Sequence, residues 1–124
     1  MDKGMFLSVV VPAYNEEHRI GRTIEALDAY FKKQIFDYEI LVVSDGSTDN
    51  TAGVVEEYRA KVKGLKLIAN PQNHGKGYVV RQGMRAAEGK FQLFMDADNS
   101  VPIEYFDVFL PHFSQGYDVV IGSI

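Results

Sequence analysis

Two carboxylates, Asp96 and Asp98, stand one residue apart where the apolar run Phe91-Gln92-Leu93-Phe94-Met95 stops. In extended chain that spacing turns both side chains to the same side. Carboxylates so close repel each other and are comfortable only when solvated or when a cation sits between them. The same pair also reads as a helix cap and a turn aspartate after a strand. Gly75-Lys76-Gly77 places one ammonium in a small loop at a predicted helix start, where backbone and cation could approach a phosphate; a plain turn is the other reading. Asp45 ends a second apolar run, where a carboxylate can accept hydrogen bonds from the N–H groups of a base. Asp49, four residues on, reads as a helix cap. Tyr14 could stack on a ring or be an exposed turn tyrosine.

These residues need elements to position them. Phe6-Leu7-Ser8-Val9-Val10-Val11 is a β-branched run of strand length closed by Pro12, which is expected to end the ladder. A helix is expected from near Asn15, with Ile20, Ile24, Leu27 and Phe31 as its apolar stripe and Lys32 and Lys33 at its end. Tyr38 to Val43 is a second strand, followed by a loop rich in capping residues and a helix carrying Val55, Tyr58 and Val62, with Gly64 as its stop. Leu65 to Ala69 is a third strand. Asn73 to Gly77 opens a third helix with Val80, Met84 and Ala87 on one face and Gly89 as its terminator, and the run before Asp96 is the fourth strand. Pro102 stands in or near the first turn of a last helix, whose Phe106, Phe109, Leu110 and Phe113 form an apolar face; Tyr117 to Gly122 is a fifth strand.

Alternation of strands and helices predicts one α/β domain with a mainly parallel sheet and helices on both faces. Ligands of such sheets bind outside the carboxyl ends of the strands. All four polar clusters fall on that rim, and the helix starts there favour an anionic ligand.

Composition narrows the chemistry further. Thirteen basic against seventeen acidic residues give a net charge of −4, with no basic stripe for nucleic acid. Without cysteine there is neither a disulfide nor a thiolate metal site. No apolar run approaches a membrane span and no signal peptide is visible, so a soluble, cytoplasmic unit is expected. His18, His74 and His112 lack metal-ligand spacing. Neither G-x-x-x-x-G-K-[ST] nor a G-x-G-x-x-G after the first strand is present, so P-loop and dinucleotide readings lose their main support.

Taken together, Ser8-Val9-Val10-Val11-Pro12-Ala13-Tyr14-Asn15-Glu16, Val42-Val43-Ser44-Asp45-Gly46-Ser47-Thr48-Asp49, Asn73-His74-Gly75-Lys76-Gly77 and Met95-Asp96-Ala97-Asp98 resemble the motifs of the inverting GT-A glycosyltransferases of family 2. Within that family the chain is most similar to the dolichyl-phosphate sugar synthases. Phe36 to Glu39 and Gly75 to Gly77 look more like the glucosyl than the mannosyl branch. The resemblance implies a Rossmann-like GT-A sheet in which Pro12, Ala13, Tyr14, Glu16, Asp45, Lys76, Asp96 and Ala97 hold a nucleotide sugar, UDP-linked in preference, with Asp45 reading the base. It implies that Asp96 and Asp98 form the D-x-D motif that binds Mg²⁺ or Mn²⁺ on the donor diphosphate. Ser100, at a place where mannosyl synthases carry a metal-binding Gln, weakens a GDP-mannose reading.

By the same resemblance, residues 1–124 are the N-terminal, donor-binding part of a larger catalytic domain. Asp118 to Ser123 look like the family's D-V-V-I-G-S-R, with Ile124 in place of the Arg. The general base and acceptor elements are then expected beyond Ile124, the acceptor being a polyprenyl or dolichyl phosphate at the cytoplasmic face of a membrane. The isolated chain is expected to bind donor without transferring it and to self-associate weakly. The competing readings are a nucleotidyltransferase of similar topology, which lacks its basic glycine-rich signature here, and a non-catalytic nucleotide-binding module.

Overall fold

A computed structural model of the chain describes residues 5–97. The apolar runs form β1 (Leu7–Ala13), β2 (Tyr38–Asp45), β3 (Leu65–Asn70) and β4 (Phe91–Phe94), joined through the helices α1 (Ile20–Phe31), α2 (Thr51–Arg59) and α3 (Lys76–Ala86). All strand pairs are parallel, in the order β3-β2-β1-β4. Every residue of β1 is buried, and β2 is buried from Glu39 onward, as continuous apolar runs require of strands covered on both faces. Leu7, Val9 and Val11 join Ile20, Ile24, Leu27 and Phe31 of α1 and Val55 of α2 in one core. Val10 and Val43 turn the other way, against Val79 of α3. The predicted parallel α/β sheet with helices on both faces is therefore what the chain builds. The expected helix over Phe106 to Phe113 and the fifth strand lie outside the described residues.

Four expectations about element limits are corrected. The second helix, expected to carry Val62 and to stop at Gly64, ends at Arg59, and Val62 lies in the turn that follows it. Pro12 does not end β1; it pairs in register with Val43 and β1 runs to Ala13. The carbonyl of Val10 accepts the N–H of Met95 at 3.0 Å, so by the period of two the backbone groups of Pro12 point to the same side, beyond the end of β4 at Phe94. No ladder hydrogen bond is sacrificed there. The first helix starts at Ile20, not near Asn15. Asn15 has φ 53°, a left-handed conformation that Asn tolerates, and its side chain serves a different loop. The third helix starts at Lys76 and buries Val79 and Gly83, while Val80, Met84 and Ala87 are only partly covered. Gly83 is what turns this face inward: a Cβ there would stand 2.5 Å from Cγ1 of Val10, so only glycine lets the helix sit this close to the sheet. That helix ends at Ala86, three residues before Gly89.

The chain runs from β1 outward to β2 and β3, then returns to the other side of β1 as β4. The order thus reverses between β1 and β4, where open α/β sheets leave a crevice at the carboxyl ends of their strands.

Candidate functional site

A cleft of about 430 Å³ opens at that reversal, lined by Pro12, Ala13, Tyr14, Glu16, Asp45, Lys76, Asp96 and Ala97 together with Asn73, Gly75 and Val79. The first eight are the residues to which the family resemblance assigns a nucleotide sugar, and four strand ends bring them to one place. Asp98 lies outside the described residues.

The floor of the cleft follows from strand periodicity. Phe91, Leu93, Met95 and Ala97 are buried on the α1 side of the sheet. Phe94 packs on the α3 side, and Asp96 continues that alternation toward the start of α3. The hydroxyl of the buried Thr23, on α1, donates to the carbonyl of Ala97 and ties the chain after β4 to the opposite layer. Asp96 is left partly exposed, its Oδ1 2.7 Å from the Lys76 ammonium.

Asp45 is almost fully buried at the end of β2. Its carboxylate accepts the backbone N–H groups of His74, at 2.6 Å, and Gly75, at 2.9 Å. Its own carbonyl takes the side-chain amide of Asn73 at 3.2 Å. Asp45 therefore holds the loop that delivers Lys76. Gly75 presents its N–H with φ 96°, a conformation glycine reaches without strain. The two oxygens still have lone pairs for another donor, since a carboxylate offers about four acceptor directions.

The Pro12 to Glu16 side of the cleft is held from behind by the loop after β2. The side-chain oxygen of Asn15 accepts the N–H groups of Thr48 at 2.8 Å and Asp49 at 3.3 Å. In return Asn15 N–H reaches Ser47 Oγ at 3.1 Å and Glu16 N–H reaches Thr51 Oγ1 at 2.8 Å. Asp49 Oδ1 accepts the N–H of Thr51 at 3.0 Å and so holds the start of α2, but the cap position itself is Asn50, not Asp49 as expected, and its side chain makes no cap hydrogen bond. Burial raises the pKa of Asp49, but hydrogen bonds from the Thr51 hydroxyl and from the Thr51 and Glu17 N–H groups outweigh it and leave the carboxyl below its ordinary value. Glu16 carries an ion pair with Arg19 at 2.6 Å, and Tyr14 stays exposed on the lip.

The sequence reading does not find a second polar cluster, at the opposite end of the sheet. Glu39 of β2 is fully buried; it accepts Ser8 Oγ at 2.5 Å, the Glu88 N–H at 2.6 Å and the Lys66 ammonium at 2.8 Å. Gly89 N–H completes the cluster on Ser8 Oγ at 2.7 Å. Burial pushes the Glu39 carboxyl up, yet the bonds from Glu88, Lys66 and Ser8 prevail and hold it below the usual carboxylate value. Three strands and the α3–β4 turn are joined there, away from the cleft.

Asp96, open to solvent, could serve a hard divalent cation that keeps several waters and takes one or two carboxylates plus phosphate oxygens, although the Lys76 ammonium now compensates it. Among the described residues no three His, Cys, Asp or Glu side chains form a closed metal cage. No helix among them is long and apolar enough to cross a membrane.

Over residues 8–124 the sequence matches the family model for glycosyl transferase family 2. It is 39% identical over 107 residues to a dolichyl-phosphate beta-glucosyltransferase, ALG5D, of Trichomonas vaginalis, an alignment that covers 82% of this chain and 33% of that protein. Among solved structures, the fold is similar to S. aureus TarS 1-349 in complex with UDP-GlcNAc, with TM-score 0.69, 34% identity, and coverage of 87% of this chain and 32% of the other. It is also similar to glucosyl-3-phosphoglycerate synthase of Mycobacterium tuberculosis in complex with Mn²⁺, UDP and glucosyl-3-phosphoglycerate, with TM-score 0.67, 26% identity, and coverage of 87% and 39%. The chain spans about a third of the length of the curated relatives it matches. With a GT-A type α/β sheet and a family match over nearly all its length, the chain belongs to glycosyl transferase family 2.

Proposed function

We propose that this chain is the donor-binding part of a larger catalytic domain that transfers a sugar, glucose in preference, from a UDP-linked donor to a polyprenyl phosphate. The observation that carries the reading is the convergence of Asp45, Lys76 and Asp96 with the Pro12 to Glu16 segment on one cleft at the strand-order reversal. Relatives named as dolichyl-phosphate glucosyltransferases support the acceptor class and the sugar. Neighbours bound to UDP-GlcNAc or to UDP and Mn²⁺ support the donor class and the cation.

In this reading the nucleoside lies along Pro12, Ala13 and Tyr14, with the Asp45 carboxylate accepting from the base while it holds the loop at residues 73–75. Lys76, at the start of α3, adds one positive charge and the free N–H groups of a helix terminus next to the diphosphate. Asp96, with Asp98, would hold Mg²⁺ or Mn²⁺, which would supply neutralisation of the diphosphate as leaving group. The acceptor acts at the cytoplasmic membrane face, and the described residues of the cleft are all assigned to the donor. Binding without a positioned acceptor gives little acceleration, because orientation of both reactants carries much of the effect. The 124 residues alone therefore bind donor and do not transfer it.

Calorimetric titration of UDP, UDP-glucose, GDP and GDP-mannose, each with Mn²⁺ and with a chelator, tests the reading. Cation-dependent binding of the uridine ligands is expected. Equal affinity with and without the cation, or a preference for guanosine ligands, would contradict it.

A further inference from the structure

Lys76 occupies the place that the proposed function gives to the cation. Its ammonium lies 2.7 Å from Asp96 Oδ1, with the two side chains 55% and 39% exposed. It also lies 5.8 Å from the centroid of the Phe94 ring, and it lines both the cleft and a neighbouring groove formed with Arg81, Met84 and Phe94. The other carboxylates of the cleft are bound differently. Asp45 is buried on two backbone N–H groups, and Glu16, at 18% side-chain exposure, is paired with Arg19. Asp96 is the most open of the three, and its partner is a flexible stem carrying a compact point charge with three rotatable donors.

We infer that Lys76 is an exchangeable latch: its ammonium compensates Asp96 in the free protein and passes to the donor diphosphate when a divalent cation takes Asp96. The inference rests on the proposed function. A cation arriving alone must displace the ammonium from Asp96 and then sit beside it. A diphosphate arriving alone faces the Asp96 carboxylate. Arriving together, each ligand removes the obstacle to the other, so the two bind with positive coupling that is reciprocal by linkage. Lys76 in this sense positions charge and discriminates the loaded donor from either component.

The test is Mn²⁺ binding to the whole chain, followed by the paramagnetic resonance signal of free Mn²⁺, for wild type, Lys76→Met and Lys76→Arg, each with and without UDP. Lys76→Met is expected to bind Mn²⁺ alone about three- to tenfold tighter, from release of an exposed ion pair and of like-charge repulsion at close range. It should bind UDP in chelator more weakly than wild type. Lys76→Arg keeps the charge and should leave Mn²⁺ alone as weak as in wild type. If Lys76→Met binds Mn²⁺ no tighter while UDP still recruits Mn²⁺ to the wild type, the latch is overturned and the donor reading stands. If UDP recruits Mn²⁺ to neither protein, both are overturned.

Discussion

Replacing Asp45 by Asn changes almost no volume, and it separates the two duties of that side chain. In the protein one oxygen takes His74 N–H at 2.6 Å and the other takes Gly75 N–H at 2.9 Å. In Asp45→Asn one oxygen becomes an amide donor facing an N–H. A hydrogen bond to a charged group is lost and a partly buried N–H is left facing another donor, which together should cost about 2–4 kcal/mol of stability. With a urea m-value of about 2 kcal/mol per molar, the middle of the range for small proteins, the unfolding midpoint should fall by roughly 1–2 M. Urea unfolding followed by circular dichroism measures it, and a midpoint within about 0.3 M of wild type would refute the claim that Asp45 holds the loop. UDP affinity measured on the same variant decides the second duty. Loss of a charged acceptor for the base should weaken it by about 1–3 kcal/mol. A lowered midpoint with unchanged UDP affinity would keep Asp45 as a loop anchor and remove it from the nucleotide site.

Other positions give equally direct tests. The pKa of Glu39 is lower in the folded chain than in the unfolded one, so its contribution is full above the unfolded value of about 4.3 and is lost as pH falls through the folded value. Stability measured from pH 6 to pH 3 should therefore fall more steeply in wild type than in Glu39→Gln, and parallel curves would count against the buried cluster. Gly83→Ala drives a Cβ to 2.5 Å from Val10 Cγ1 and should destabilise by about 1–3 kcal/mol, visible in the thermal midpoint. Asn15→Ala removes the acceptor for Thr48 and Asp49 and puts alanine at φ 53°; we expect a loss of about 1–3 kcal/mol, and protease cleavage between residues 14 and 19 should increase.

β1 and β2 were legible because they are continuous runs of buried residues, the mark of parallel strands covered on both faces, while β3 and β4, only partly buried, were legible through their short apolar stretches between turn residues. The α1 stripe was legible for the same reason, through helical spacing. Pro12 and Asn15 misled because local rules assign them to endings and caps. Their actual roles depend on where β4 stops and on a loop 33 residues away. The α3 face was misread because its innermost residue is a glycine, which hydrophobicity patterns do not count. The residues of the candidate site could be found because four separate clusters all end strands. Their couplings, Asp45 to the residue 73–75 loop and Thr23 to Ala97, join positions 29 to 74 residues apart and leave no trace in local sequence. The cluster of Ser8, Glu39, Lys66 and Glu88 was hidden in the same way, each member being an ordinary residue within its own segment.

Amide shift mapping with UDP-glucose and Mg²⁺ on the isotopically labelled chain tests most directly whether a nucleotide sugar binds at the carboxyl ends of β1, β2 and β4. The largest shifts are expected at Ala13, Tyr14, Gly75, Lys76 and Asp96, with Glu88 and Gly89 at the opposite end of the sheet unmoved. Largest shifts at Glu88 and Gly89, or none anywhere at saturating ligand, would contradict it.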